Sequence, residues 1–422
     1  MNAKRFFKTA MTVAIFLILF SLVASVMERH DTYTKFKSFF SERKTDYDVY
    51  FLGTSHVLNG VDPMILWHNW GITSYNLGWN CNTLGADYWQ LRLASKIHKP
   101  KVVVVDILGL YDDMKIDYSS NYVFAHGILD PFRLSPEKSR AIMDLFDSPK
   151  TRLEFYLPFS LYHNRWQEFS MKKVRKNVRN YLLDQIDEQP TKGYDPKIGV
   201  KTPQSFCPYM ADYNGRETVS IAYARKIISF CRENGIALAF MHIPFSVQEK
   251  MGAWKAAFEK ILEQENIPFI DMSTIVDFET DQYDLDYHLN AAGARKATDY
   301  IGSFLREKNM VPAHREKNIA EKWDADYESY ESYYDTLISA QTDMASTLML
   351  VNHPSYRTQI LTANGFEFGA TEKKQIAQLG NSVFLLRAKT RQDFDVTIEV
   401  FREADGKSVA KKYYRREFVS AQ

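Results

Sequence analysis

The strongest strand signal in the chain is the stretch KVVVVDI at Lys101–Ile107. Its uninterrupted β-branched residues are typical of a strand that is buried on both faces, as in a parallel sheet. Two shorter runs precede it, Asp48–Gly53 and Ile72–Gly78, and each ends in glycine. Two more follow, Ile236–Pro244 and Pro268–Met272, and segments with helical spacing separate the runs. Strands that alternate with helices predict an α/β fold whose parallel sheet is covered on both faces.

This alternation is interrupted between about residues 112 and 210, where helical patches and many aromatic residues occur. We interpret this stretch as a helical insertion, or cap, within an α/β domain at 45–310. Residues 311–339 are predicted as a helical linker, and 340–422 as a small β-rich domain. The strand candidates of that last domain are Leu348–Val351, Ser382–Leu386, Val396–Phe401 and Ser408–Tyr414.

The N-terminus predicts a membrane anchor. Lys4, Arg5 and Lys8 precede an uncharged apolar stretch from Thr9 to Met27. At about 1.5 Å per residue, a helix of about 19 residues spans roughly the hydrocarbon core of a bilayer. The positive flank should stay in the cytoplasm, so we predict a tail and transmembrane helix at 1–30 and an extracytoplasmic globular part. A cleaved signal peptide is the alternative, and it would place the globular part on the same side of the cell membrane.

Composition limits the cofactors and partners. The chain has 53 Lys and Arg against 52 Asp and Glu, and this balance argues against a nucleic-acid partner. Its three cysteines, Cys81, Cys207 and Cys231, give no disulfide framework, and no Cys/His cluster has zinc spacing. We therefore predict that the protein uses no metal and no cofactor.

Two short motifs, far apart in the chain, carry the candidate chemistry. They are FLGTSH at Phe51–His56 and DYHLN at Asp286–Asn290. Ligands of an open parallel sheet bind outside the carboxyl ends of its strands, so we expect both motifs at one sheet edge. Serine is a weak nucleophile unless a base takes its proton, and an Asp-x-His pair supplies a base with an orienting carboxylate. The sequence thus predicts Ser55 as nucleophile, His288 as base and Asp286 as acid.

The developing oxyanion of such a reaction needs hydrogen-bond donors. The backbone N–H groups of Ser55 and Gly78 are candidates, since glycine lets a substrate approach the backbone closely. The side chain of Asn80 is a further candidate, with Asn82 as its alternative.

Four residues are candidates for substrate binding. His56 is next to the serine, and His242 is near the end of a later strand, although it could equally be a core histidine. Arg165 and Trp166 lie in the insertion, where an aromatic ring and a guanidinium suit a sugar and an anionic group. The alternative for this pair is an aromatic core within the insertion.

These motifs resemble those of the SGNH/GDSL hydrolase-like superfamily. The matching blocks are Gly53–Ser55, Gly78 and the DYHLNAAG stretch at 286–293, and the resemblance covers about 48–110 and 218–306. The chain is similar above all to the membrane-anchored extracytoplasmic branch, which includes alginate O-acetyltransferase-like proteins and the D-alanyl transfer protein of teichoic acid modification. The resemblance implies a flavodoxin-like, doubly wound parallel sheet with strand order 2-1-3-4-5. It also implies a cell-envelope or exported glycan as acceptor and a membrane-bound O-acyltransferase as partner.

The chain departs from the superfamily pattern at two points. Many members carry a Gly-x-Asn-Asp block after the third strand, whose Asn completes the oxyanion hole, but Leu108–Asp113 contains no Asn. The acid is at Asp-x-His instead of Asp-x-x-His, a spacing that would need an acid where Leu285 stands. Asp281 and Asp284 are alternative acids in the same loop.

Two functional hypotheses follow. The first is an extracytoplasmic serine-dependent esterase or O-acyltransferase that forms an acyl-enzyme, with acetyl as the expected group, and acts on a glycan. The second is a catalytically weak, SGNH-like glycan-binding or scaffold partner of a membrane-bound O-acyltransferase. The missing asparagine after the third strand motivates the second hypothesis.

Overall fold

Five parallel strands form the central sheet in the computed structural model of the chain. They lie in the order β2-β1-β3-β4-β5. Their bounds are β1 Val49–Leu52, β2 Ser74–Asn76, β3 Val102–Asp106, β4 Ala237–His242 and β5 Phe269–Asp271. This is the predicted 2-1-3-4-5 order, so the flavodoxin-like α/β fold class is confirmed.

The structure describes most of the chain. The described residues are 3–27, 35–36, 39–42, 47–118, 122–157, 161, 170–172, 174–175, 178, 190–201, 215–243, 249–283, 288–312, 316–387 and 394–415.

The valine run at the centre of the sheet separates two core layers. Val103 and Val105 point into one hydrophobic cluster, and Val102 and Val104 point into the other. All four side chains are fully buried. Successive side chains of a strand point to opposite faces, so an uninterrupted apolar run serves both layers. This explains why the stretch at Lys101–Ile107 has no polar alternation.

Helices cover both faces of the sheet. Packed against Val102 and Val104 are Val57, Leu66 and Ile301, which come from three of these helices. The helices begin and end as follows: α1 Ala3–Met27, α2 Ser55–Gly60, α3 Pro63–Trp70, α4 Leu84–Ala94, α5 Tyr122–Leu129, α6 Pro136–Leu145, α7 Pro149–Tyr156, α8 Val219–Asn234, α9 Glu249–Glu265, α10 Ala291–Glu307, α11 Lys317–Ala340, α12 Met344–Val351 and α13 Ala370–Leu379. The helices α5, α6 and α7 belong to the predicted insertion, and α11 occupies the segment predicted as a helical linker.

The N-terminal segment forms the helix α1. Within the described residues, no helix combines the length and the apolar character needed to cross a bilayer. The transmembrane helix predicted at 1–30 is therefore not found.

The C-terminal part contains a second sheet with the strand order β7-β6-β8-β9. Its strands are β6 Tyr356–Thr362, β7 Val383–Arg387, β8 Val396–Arg402 and β9 Ser408–Tyr414. Three of the four match predicted strands, but the predicted strand at Leu348–Val351 is wrong, because these residues form the end of α12. Four consecutive apolar residues fit a buried helix as well as a strand, and Asp343 caps this helix by accepting the N–H of Ser346.

The helix α11 attaches the C-terminal part to the α/β sheet. Tyr330 on α11 donates its hydroxyl to Asp62 Oδ2 at 2.6 Å, and Asp62 Oδ1 accepts the N–H groups of Met64 and Ile65 at the start of α3. Asp62 is fully buried. Burial raises the pKa of Asp62 to about 6, although these donors and Arg295 act in the opposite direction. These hydrogen bonds therefore compensate for the water that the buried carboxyl group of Asp62 has lost.

We expect Tyr330→Phe to lower the free energy of unfolding by about 1–3 kcal/mol, because a buried acceptor loses its donor. The pKa of Asp62 in the folded state is about 6, above its ordinary value of 3.8, so the stabilising effect of the protonated carboxyl is lost as pH rises from about 4 through about 6. The hydroxyl of Tyr330 favours the charged form of Asp62. Its loss should therefore reduce stability more at pH 7.5, where Asp62 is charged, than at pH 4.5, where it is protonated. Chemical denaturation at both pH values measures this, with Tyr333→Phe on the same helix as the control. Equal losses for the two variants would contradict the account.

Candidate active site

The structure brings together the serine and the histidine that the two sequence motifs supply. Ser55 Oγ and His288 Nε2 are 2.7 Å apart, which is hydrogen-bond distance. Ser55 is the first residue of α2 and lies just beyond the carboxyl end of β1. Both side chains are half-buried. A nucleophile and a base within hydrogen-bond reach are the core of a serine hydrolase site.

The turn that presents Ser55 requires a glycine. Gly53 has a φ of +142°, and a Cβ at this position would be 2.6 Å from Val57 Cγ2 and 2.8 Å from Asp106 Cβ. Thr54 then caps α2, since its hydroxyl accepts the N–H of His56 at 3.2 Å. The chain thus leaves β1, turns at Gly53 and starts a helix with Ser55 in its first position.

A buried asparagine fixes α2 to the end of the neighbouring strand. Asn76 Nδ2 donates to the carbonyl oxygens of Val57 and Val61, each at 2.7 Å. Its Oδ1 accepts the N–H of Gly78 at 3.0 Å. One amide therefore ties α2, which begins with Ser55, to the loop that follows β2. Sequence analysis missed this residue, since nothing in the local pattern distinguishes a bridging Asn from a turn residue.

Backbone hydrogen bonds hold His288 and Asn290 against Tyr283 and Asp281. The His288 carbonyl accepts the N–H of Tyr283 at 2.8 Å, and the Asn290 N–H donates to the Asp281 carbonyl at 2.9 Å. Asn290 caps α10 by accepting the N–H groups of Ala292 and Gly293, and it also donates to the Thr280 carbonyl. These bonds fix the backbone on which the imidazole stands.

The predicted acid, Asp286, lies outside the described residues, and so does its alternative Asp284. The second alternative, Asp281, is described and fully buried. Its carboxylate accepts Lys296 Nζ at 2.7 and 2.9 Å and the N–H of Asp277 at 2.7 Å. Asp281 therefore serves to anchor this loop to α10. The assignment of Asp286 as the acid stays a prediction.

His56 and His242, the two histidines predicted to bind substrate, lie at different distances from Ser55 and His288. The rings of His56 and His288 are 5.1 Å apart between centroids, so His56 belongs to the immediate surroundings of the base. His242 is buried at the end of β4, two strands away from β1, and is paired in register with Asp271. Burial, with Lys255, lowers the pKa of His242 to about 4, so its ring is neutral at neutral pH. Arg165 and Trp166 lie outside the described residues.

The candidate oxyanion donors differ in whether other contacts in the structure already use them. The N–H of Gly78 is used by Asn76, and a Cβ on Gly78 would be 2.7 Å from Leu58 N, so this glycine serves close packing of the loop against α2. Asn82 is buried and donates to Asp87 at 2.6 Å. Asn80 is half-buried and follows Trp79, whose N–H donates to the Gly53 carbonyl at 3.0 Å. Asn80 thus lies beside the nucleophile turn, and its role as a donor stays a prediction.

The region after β3 supplies no asparagine, in keeping with the sequence. Leu108–Leu110 forms a short 3-10 helix there, and the N–H of Leu108 donates to Asp106 Oδ2 at 3.2 Å. Asp106, a buried acid that lies against Gly53, was not recognised from the sequence. A charged residue that ends an apolar strand at the carboxyl edge was the available signal for Asp106. Among the described residues, no group of three or more His, Cys, Asp or Glu side chains is arranged to hold a metal ion.

The solved structures that are similar to this chain share little sequence identity with it. No family model and no curated protein matches the chain. Among solved structures, it is similar to a protein described as lipolytic and of the G-D-S-L family from Desulfitobacterium hafniense DCB-2, with 10% identity, a TM-score of 0.31, and coverage of 61% of this chain and 99% of the other. It is also similar to an active-site mutant of a family two carbohydrate esterase from Clostridium thermocellum, with 10% identity, a TM-score of 0.27, and coverage of 63% and 65%. At this level of likeness, neither protein identifies an activity for this chain.

The packing of Gly78 gives a prediction that separates a structural role from a catalytic one. We expect Gly78→Ala to lower the free energy of unfolding by about 1–3 kcal/mol, because the new methyl group would overlap with α2. Gly252→Ala in α9 is the matched control, since a Cβ there meets nothing within 4 Å. That substitution should stabilise the helix by about 0.5–1 kcal/mol. Chemical denaturation measures both, and a Gly78→Ala protein as stable as the parent would contradict the packing role.

Proposed function

We propose that this chain is a serine esterase or O-acyltransferase of the SGNH type that acts on a cell-envelope or exported polysaccharide. The observation that carries the proposal is the 2.7 Å contact between Ser55 Oγ and His288 Nε2 at the carboxyl edge of β1. In the proposed site, Asp286 orients the imidazole of His288, and His56 lines the same side of the site.

The chemistry follows from this pair. His288 Nε2 takes the hydroxyl proton of Ser55 while Oγ bonds to the ester carbonyl carbon, and the carbonyl electrons move onto its oxygen. The tetrahedral intermediate then collapses, its C–O bond to the leaving alcohol breaks, and His288 returns the proton to that alcohol. The acyl group stays on Ser55 until a sugar hydroxyl or water attacks it by the same steps in reverse.

The oxyanion would be stabilised by two groups beside the serine. The N–H of Ser55 is in the first turn of α2, where backbone donors have no partner within the helix. The amide of Asn80 is the second group, on the loop tied to Gly53. Donors fixed in position before the reaction stabilise the developing charge without reorganisation.

Transfer to a glycan is favoured over hydrolysis by the insertion. Trp79, in the loop beside the nucleophile turn, donates its indole N–H to the Phe124 carbonyl at 3.0 Å. A Cβ on Gly127 of α5 would be 2.5 Å from the same indole ring, so α5 lies directly on it. Helices that pack beside a site limit the access of water to an acyl-enzyme, and this packing supports the proposal of transfer. From the sequence, we further propose that the protein acts outside the cytoplasm and receives acyl groups from a membrane-bound O-acyltransferase.

The alternative is a catalytically weak SGNH-like glycan-binding or scaffold protein. It is favoured by the hydrogen bonds of Gly78 and Asn82, which direct two candidate oxyanion donors to Asn76 and Asp87. In that case the protein would bind a glycan but would not form an acyl-enzyme.

Labelling with a fluorophosphonate probe separates these two functions. We expect the parent protein to be labelled and Ser55→Ala to be unlabelled, because the attacking oxygen is gone. Ser329→Ala is the control, since Ser329 is exposed on α11 and bonds to the Ala325 carbonyl. It should be labelled at the parental rate. An unlabelled parent protein that binds glycan would support the alternative, and unchanged labelling of Ser55→Ala would exclude Ser55 as the nucleophile.

The fate of the acyl group decides between transferase and esterase. With an activated acetyl ester as donor and a polysaccharide as acceptor, we expect mass spectrometry to find acetylated acceptor in excess of free acetate. The physical reason is the cover of the insertion over the loop beside Ser55. Free acetate alone, at the same rate with and without acceptor, would identify an esterase.

A further inference from the structure

The returning end of the insertion contacts both segments that form the candidate site. Residues 190–201 form no helix and no strand, and we call this segment the strap. Backbone polar groups outside secondary structure must find partners elsewhere, so the hydrogen bonds of the strap indicate what it holds. Its partners include α2, which begins with Ser55, and the segment that contains His288.

The middle of the strap is bonded to α2. The N–H of Asp195 donates to the Leu58 carbonyl at 3.0 Å. The side-chain amide of Asn59 donates to the Asp195 carbonyl at 2.8 Å. Asn59 is 1% exposed and lies one helical turn after Ser55, on the same side of α2. Both backbone polar groups of Asp195 are thus bonded to the helix that presents Ser55.

Further along, the strap is bonded to the segment of His288. The carbonyl of Lys197 accepts the N–H of Ala291 at 2.9 Å. The carbonyl of Gly199 accepts the side-chain amide of Asn290 at 3.0 Å. Asn290 is fully buried and is the second residue after His288. A buried asparagine on each side of the candidate site therefore donates to a carbonyl of the same strap.

The start of the strap is fixed by other contacts. The carbonyl of Lys192 accepts the N–H of Asn76 at 3.0 Å. The buried Nζ of Lys192 pairs with Glu42 at 2.7 Å and with Asp326 at 2.8 Å. The next residue, Gly193, has a φ of +90°, and a Cβ there would overlap with the Asn76 carbonyl oxygen. The strap therefore needs glycine at this position to lie against the end of β2.

We infer that Asn59 is a positioning residue for Ser55, and that it acts by binding the strap, which also holds the segment of His288. The strap thus sets the separation between Ser55 and His288. This inference rests on the proposed serine chemistry for its effect on rate, whereas the link between the two segments rests on hydrogen-bond geometry alone. It gives the insertion, from which the strap returns, a part in assembling the site.

Two pairs of variants test this inference. Asn59→Ala removes the amide that donates to the strap. Its control is Tyr223→Phe, which removes a hydrogen bond between α8 and the insertion helix α6, from the Tyr223 hydroxyl to Asp144 at 2.8 Å. Gly193→Ala displaces the strap itself. Its control is Gly215→Ala, because Gly215 also has a positive φ, +79°, and a Cβ there meets nothing within 4 Å.

The first readout is the saturation kinetics of fluorophosphonate labelling, which separates binding of the probe from attack by Ser55. We expect Asn59→Ala and Gly193→Ala to lower the maximal labelling rate roughly 10- to 100-fold, since a small misplacement of a reacting group has an effect of this size. The probe concentration that gives half of the maximal rate should stay near the parental value, because a positioning residue acts on the attack. A parental maximal rate in either variant, or an equal loss in its control, would overturn the inference.

The second readout does not depend on activity. Asn59→Ala changes α2, yet we expect faster hydrogen exchange in the peptide 288–293, because the strap joins the two segments. Tyr223→Phe should leave this exchange at the parental rate. Parental exchange of the same peptide in Asn59→Ala would overturn the inference.

The remaining outcomes are also decisive. If Asn59→Ala does not fold, exchange of the peptide 288–293 in Gly193→Ala against Gly215→Ala decides by the same criterion. If the parent protein is not labelled at all, the proposed function fails, while exchange still measures whether the strap joins the segments of Ser55 and His288.

Discussion

The site depends on one backbone constraint, the turn at Gly53. The chain leaves a fully buried strand and must begin a helix within two residues, with a φ of +142° and no room for a side chain. The loop after β2 holds its carbonyl, Asn76 holds the helix that follows, and the buried Asp106 lies against it. Glycine adopts this φ without the steric cost that a side chain would bring.

The segment that precedes His288 is held in place by contacts with the C-terminal part of the chain. Gln378 on α13 donates to Thr280 Oγ1 at 2.7 Å, and Lys374 pairs with Glu279 at 2.6 Å. Both contacts are on the loop that precedes His288. Tyr330 on α11 bonds to Asp62, two residues beyond the end of α2. The C-terminal part therefore contacts the segments that carry Ser55 and His288, and its removal should affect the site as well as stability.

The fold could be predicted from sequence where side-chain pattern alone determines structure. The run at Lys101–Ile107 has to be a central strand because both of its faces are apolar, and the parallel order of the sheet follows from the alternation of strands and helices. The pattern failed at Leu348–Val351, where four apolar residues form a helix. It also missed β6, in which the outward positions Arg357 and Gln359 interrupt the apolar signal. The predicted transmembrane helix was not found either.

The contact between Ser55 and His288 could be predicted because their residue types and the sheet edge restrict the choices. Their supports could not, because hydrogen bonds between distant residues leave no local pattern. Asn76 looks like an ordinary turn residue in the sequence, yet it is fully buried and bonded to α2. Gly78, predicted as an oxyanion donor, packs closely against α2 in the structure, and its role as a donor stays a prediction.

The central claim is that Ser55 attacks an ester with His288 as its base. The most direct test is to mix the protein with an activated acetyl ester, quench it in acid and map the acetylated peptide by mass spectrometry. The account predicts one acetyl group on the peptide that contains Ser55, and none when His288 is replaced by alanine. Acetylation at another residue, or equal acetylation of Ser55 without His288, would contradict it.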